Sequence, residues 1–211
     1  TSEDFPTNGF TTYTDGTIIT TPSETGTYYL HVRSNDYAGN VSELTSKAFK
    51  VDVTAPNVPT ITAPIGWQNS DVTVEITDGI DEHSGVLRTE YRINDGSWIA
   101  YVDAFEVSLE GEITIEAKTI DQVGNESTTT SVKMFIDKVK PTITITPSPT
   151  ELTHDDVVLE VNATDDRSGV KLITLPDSTV VTSDTAIFTV KQNGTYTFVV
   201  EDNAGNTHTE L

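Results

Sequence analysis

The chain has no cysteine, one methionine and two tryptophans in 211 residues, and its 12 Lys and Arg stand against 33 Asp and Glu. Without cysteine there is neither disulfide stapling nor a thiolate metal site. A formal net charge of −21 repels phosphate backbones and anionic lipid, so nucleic acid is not an expected partner. No apolar run approaches the roughly 18 residues needed to span a bilayer, so membrane insertion is not expected either. Apolar residues do not recur at i, i+3, i+4 and i+7 over several turns, which removes helices from the expected architecture.

What the chain has instead is short alternating runs rich in Thr, Val and Ile. Tyr28–Arg33, Val72–Thr77, Ile113–Lys118, Val157–Val161 and Tyr196–Val200 all read as strands. Asn94-Asp95-Gly96 and Asp15-Gly16 read as tight turns, glycine being the residue that tolerates positive φ. The fold class expected is all-β.

The pentapeptide Asp-x-x-Gly-Asn occurs three times, at Asp36–Asn40, Asp121–Asn125 and Asp202–Asn206, at spacings of 85 and 81 residues. Asp52-Val-Thr-Ala-Pro56 is echoed by Asp137-Lys-Val-Lys-Pro141, and Asp81-Glu-His-Ser84-Gly85-Val86 by Asp165-Asp-Arg-Ser168-Gly169-Val170. This period is the length of one small β-sandwich and too long for a solenoid repeat. The expected modules are residues 1–52, the back part of one copy; 53–138, a complete copy; and 139–211, a copy short of most of its last strand. The chain therefore reads as a part of something longer. Strand exchange between neighbouring chains is a further reading of the incomplete copies, and an arbitrary boundary is the simpler one.

These motifs, with Tyr91-Arg-Ile-Asn-Asp-Gly-Ser-Trp98, resemble the bacterial immunoglobulin-like repeats of Gram-positive cell-surface and secreted proteins. The resemblance implies tandem Ig-like β-sandwiches in an elongated array, an extracellular setting, secreted or attached to the cell wall, and no single ligand. On that fold, the middle module places strands near 58–63, 71–77, 86–93, 104–109, 112–120 and 130–136, with a short strand holding Trp98. The last module places them near 142–146, 156–163, 170–175, 186–191 and 195–201, with another starting at Thr207. The first segment supplies strands near 26–33 and 44–51, after one or two short ones.

The same fold gathers the repeated acids at module junctions. The first junction collects Asp52, Asp78, Asp81, Glu82, Asp121 and Asn125. The second collects Asp137, Asp165, Asp166, Asp202 and Asn206. Two readings stand. In the first, Asp and Asn hydrogen-bond their own turn backbone and recur for local reasons. In the second, hard oxygen ligands from three segments hold an interdomain Ca2+ that stiffens the junction; Asp165 and Asp166, being adjacent, make the second junction the better candidate. The turn reading ranks first, since no EF-hand pattern is present.

Trp67 and Trp98 are candidates for a sugar-stacking platform, with Tyr91 and Tyr101 near them; packing within the module is the plainer reading. Four scattered histidines, and the absence of any nucleophile, phosphate or zinc motif, argue against an active site. Four Asn-x-Ser/Thr sequences read as chance. A Lys–Asn crosslink is not expected, because neither predicted first strand of the later modules contains Lys. The leading expectation is a non-catalytic spacer or stalk whose partners are its neighbouring modules, with a glycan or a host or cell-surface protein as further candidates. The alternative is an accessory carbohydrate-binding module of an extracellular glycan-degrading enzyme.

Overall fold

The computed structural model describes residues 3–14, 16–151 and 153–211, and among these there are strands, turns and loops but no helix. The described residues form two compact units. One takes in the chain up to Pro59 with Asp78–Glu90 and Lys118–Thr129. The other takes in Thr60–Thr77, Tyr91–Ala117 and Thr130–Leu211.

In the first unit, β1 (Gly26–Tyr28), β2 (His31–Asn35), β3 (Val41–Thr45) and β4 (Phe49–Val51) make one long antiparallel excursion: β1 pairs with β4, and β2 with β3. Each expected strand of this segment is thus split in two. Ser46 stands at the break, its hydroxyl accepting from Leu30 N and its own N–H donating to Leu30 O. The short strands expected earlier are not found: no strand precedes Gly26 among the described residues, and Asp15 of the expected Asp15-Gly16 turn lies outside them. Phe5 and Phe10 stack on each other, and the Arg33 guanidinium lies over both rings.

The middle sandwich contains β5 (Thr60–Thr62), β6 (Trp67–Gln68), β7 (Val72–Thr77), β8 (Val86–Ile93), β9 (Ile99–Ala100), β10 (Phe105–Val107), β11 (Gly111–Asp121) and β12 (Thr130–Ile136). Its sheets run β10-β7-β5 and β6-β12-β11-β8-β9. Strand β7 alternates strictly between buried and exposed residues, the period-2 signature of a half-buried strand. Val72, Val74, Ile76 and Val107 from one sheet meet Ile113, Ile115, Ala117, Met134 and Ile136 from the other. Each such aliphatic side chain contributes about 1.5–3 kcal/mol when taken out of water, so this seam holds the sandwich shut. Tyr91, Tyr101 and Phe105 pack at its edge, with Tyr91 stacked on Phe105 at 4.2 Å between ring centroids.

Two expectations are corrected here. The hairpin after β8 turns on Asn94 and Asp95, at φ 48° and 58°, with Gly96 N closing back on Ile93 O. Asn and Asp, not glycine, take the left-handed conformation, as a type I′ turn allows them to. Trp67, which falls between the strands expected near 58–63 and 71–77, is itself in a strand: β6 pairs in parallel with β12, Trp67 opposite Phe135 and Gln68 opposite Ile136.

The last sandwich contains β13 (Thr142–Ser148), β14 (Val157–Thr164), β15 (Val170–Thr174), β16 (Val180–Val181), β17 (Thr185–Val190), β18 (Phe198–Asp202) and β19 (Thr207–Glu210). Its sheets run β13-β14-β17 and β16-β15-β18-β19. Val161 and Ala163 from the first sheet face Ile173, Phe198 and Val200 from the second. The fold is all-β and Ig-like in its paired-sheet architecture, as the alternating runs and motifs imply.

Candidate functional site: the acidic junctions

Each Asp-x-x-Gly-Asn motif closes a tight turn in the same way. Asp121 Oδ1 accepts the backbone N–H groups of Val123, Gly124 and Asn125 at 2.7–2.9 Å, and Oδ2 accepts Asn125 Nδ2 at 2.7 Å. Asp36 does the same with Ala38 and Asn40, and Asp202 with Asn206. The glycines have φ of 87°, 97° and 90°, a conformation open to Gly at no steric cost. Asp36 is exposed and belongs to no group of three acidic or histidine side chains among the described residues, and the same turn forms there.

At the other two copies more is built around the turn. In the first unit, carboxylate oxygens of Asp52, Asp81 and Asp121 all lie within 4.8 Å of one another, with Asp121 fully buried. Asp81 sits at the head of the Ser-Gly-Val turn, where its Oδ1 accepts N–H groups from His83, Ser84 and Gly85. Asp52 divides its oxygens: Oδ1 accepts Thr54 N and the Thr25 hydroxyl, and Oδ2 accepts Ser84 N. In the second unit the same roles fall to Asp137, Asp165 and Asp202, again within 4.8 Å, with Asp137 and Asp202 fully buried. Asp137 accepts Val139 N through Oδ1 and Ser168 N through Oδ2, and Asp165 Oδ1 accepts Gly169 N at 2.7 Å.

Neutral donors from backbone and side chains thus stabilise the ionised carboxylates. For Asp52, the N–H of Thr54 first, then Ser84 and Thr25, hold the carboxyl below its ordinary range. For Asp121, burial is the largest single influence and pushes upward. The bonds from Asn125, Val123 and Gly124 outweigh it and leave the group lowered. Asp137 follows the same balance, with burial opposed by Ser168 and Val139 and by the charge of Arg167.

Of the other residues the sequence singled out, Asp78, Glu82 and Asp166 are exposed and outside both triads. Asn125 and Asn206 turn amide nitrogen, not oxygen, toward the neighbouring Asp. Trp67 is half-buried and packs on Phe135 at 5.3 Å between ring centroids. Trp98 lies under the Arg92 guanidinium, which also binds Glu116 at 2.7 Å.

Sequence reasoning missed Thr25, whose hydroxyl reaches Asp52 from the residue just before β1. It also missed the buried pair Thr89 and Thr119, whose hydroxyls meet at 3.1 Å while Thr119 Oγ1 accepts Gly79 N at 3.0 Å. No motif marks these threonines in so Thr-rich a chain.

The class these features define is the Ig-like β-sandwich module with acidic junctions. Residues 8–53 match the family model described as bacterial Ig-like domain, so the resemblance read from the motifs is met there. The chain is 30% identical to Exoglucanase B of Cellulomonas fimi over 246 aligned residues, covering 97% of this chain and spanning 22% of that protein. Among solved structures, the fibronectin(III)-like modules of Clostridium thermocellum CbhA align at a TM-score of 0.37 and 12% identity, over 72% of this chain and 90% of that one. A tetra-tandem repeat from the extending region of a large adhesion protein aligns at 0.29 and 17% identity, over 89% and 55%.

Proposed function

We propose that this chain is a non-catalytic spacer segment of an extracellular bacterial multidomain protein, its modules joined by junctions that resist bending. The observation that carries the reading is that one junction design is built twice. The closing Asp of one repeat caps the Ser-Gly turn of the next, at Ser84 and at Ser168, beside the buried Asp of the following turn. A linker tied to two loops of the next module restricts the hinge, which is what a spacer needs.

Interdomain Ca2+ is the finer part of the proposal. Asp52, Asp81 and Asp121 would hold it at the first junction, with Asp81 Oδ2, which accepts no hydrogen bond among the described residues, as the most available ligand atom. Carboxylate oxygens from three segments suit a hard cation. The first junction fits better than the second: the charge acting on Asp52 is that of His83, whereas Asp137 faces the permanent charge of Arg167. Scattering and thermal melting of the whole chain, in calcium and then in chelator, test it. Calcium at about a hundred times its Kd adds about 2.7 kcal/mol, which raises the melting point of a module this size by about 10–20 °C. Equal dimensions and melting points in both conditions would remove the cation from the mechanism.

The exoglucanase relative favours one further reading, an accessory module of a secreted glycan-degrading enzyme with Trp67 or Trp98 at the sugar. Tryptophan fluorescence titrated with soluble cellulose derivatives tests it; no response, or a response unchanged in Trp67→Ala and Trp98→Ala, would rule it out.

A further inference from the structure

We propose that Asn125 and Asn206 are latches on the linker between modules, and that the Asp of each motif serves to aim them. The inference deepens the spacer reading by naming what holds its junctions, and it requires no metal.

Asn206 Nδ2 donates to Asp202 Oδ2 at 2.8 Å, to the Asp137 carbonyl at 2.8 Å and to the Val139 carbonyl at 3.1 Å. Asn125 Nδ2 repeats the pattern on Asp121 Oδ2 at 2.7 Å, Asp52 O at 3.3 Å and Thr54 O at 3.2 Å. All three atoms facing each amide are acceptors, so only its NH2 can point at them. One N–H is committed to the carboxylate, which fixes the rotamer. The other is shared between the carbonyls of linker residues i and i+2. Those carbonyls straddle a residue that takes part in no strand, so without the amide they turn to water and the linker loses its tie to the turn.

Asn40 makes the same turn, with both Asp36 contacts in place and no linker carbonyl bound to its amide among the described residues.

The test uses the full chain, in chelator, so that its outcome is independent of calcium. Asn206→Ala, Asn206→Asp and the control Asn40→Ala are compared by hydrogen exchange and by trypsin cleavage after Lys138, which lies in the latched linker. Loss of the latch releases Asp137, so exchange of the Val139 and Ser168 amides, both bound to its carboxylate, rises about tenfold or more in both Asn206 variants. Cleavage after Lys138 accelerates with it, while the amides of β15 and β18 exchange as in the parent and Asn40→Ala leaves the linker unaffected. Three results would overturn the latch: unchanged linker exchange in Asn206→Ala, parental behaviour of Asn206→Asp, or a rise equal to that in the β15 and β18 core, which would make Asn206 an ordinary stabilising residue.

Discussion

Thr119 offers a sharp test of how the middle module is held where its loops meet. Its side chain is fully buried, its Oγ1 accepts the buried N–H of Gly79 at 3.0 Å, and it shares a 3.1 Å hydrogen bond with Thr89, also buried. Replacing Thr119 by Val keeps the shape and deletes that oxygen. Two polar groups then lose a partner in a dry site, and each orphan costs about 1–3 kcal/mol. Allowing for rotation of the Thr89 hydroxyl toward another acceptor, Thr119→Val should cost about 2–4 kcal/mol, or about 10–20 °C in melting temperature. The cycle with Thr89→Val sharpens the test. In the double variant the Thr89 orphan no longer exists, so the combined loss should fall short of the sum by about 1 kcal/mol. Urea denaturation of the four proteins gives all the terms. A Thr119→Val loss below about 0.5 kcal/mol, or strict additivity, would refute the reasoning.

Two further outcomes follow from the junctions. The folded-state pKa of Asp137 is lowered from 3.8, so its contribution is complete above that value and lost as pH falls through the folded one. Urea midpoints should decline on acidification below about pH 4, with a shallower decline in Asp137→Asn; identical slopes would remove Asp137 from the acid response. At Gly79, an added Cβ would lie 1.8 Å from the Asn57 carbonyl oxygen and 2.7 Å from its carbon. Backbone cannot give way as a side-chain tip can, so Gly79→Ala should destabilise by about 2 kcal/mol or more, read as a lowered melting point; parental stability would show that no such close approach exists.

How much of this was legible beforehand depends on how local each feature is. Strand β7 lies where alternation puts it, because Val and Ile on one face are enough to fix a half-buried strand, while β8 and β12 lie where the resemblance to an Ig-like module places them. Strand β6 was missed for the opposite reason. Two residues carry no period, and their pairing is with Phe135 and Ile136, far along the chain. The grouping of Asp52, Asp81 and Asp121 followed from loop order on a sandwich, and the fold brings them within 4.8 Å of one another. Glu82 and Asp166 share that composition but point to solvent, since the tight turn that carries them faces only its first Asp inward. What spacing could not disclose is which lone pairs the backbone already occupies. That Asn125 and Asn206 give nitrogen to the linker is visible only when the carbonyls of Asp52 and Asp137 are in place.

The short parallel pairing of β6 with β12 has a mechanical consequence. The chain enters the middle module through β5 and β6 and leaves it through β12, and Asp137 N continues the ladder by donating to Gln68 O at 2.8 Å. Because the two strands run the same way, tension between the module's ends drags them past each other lengthwise. Their hydrogen bonds are then loaded in shear and must yield together, whereas an antiparallel pair pulled from its open end parts one bond at a time. The patch most easily overlooked in the sequence is thus the clasp that a stretched chain would have to break first.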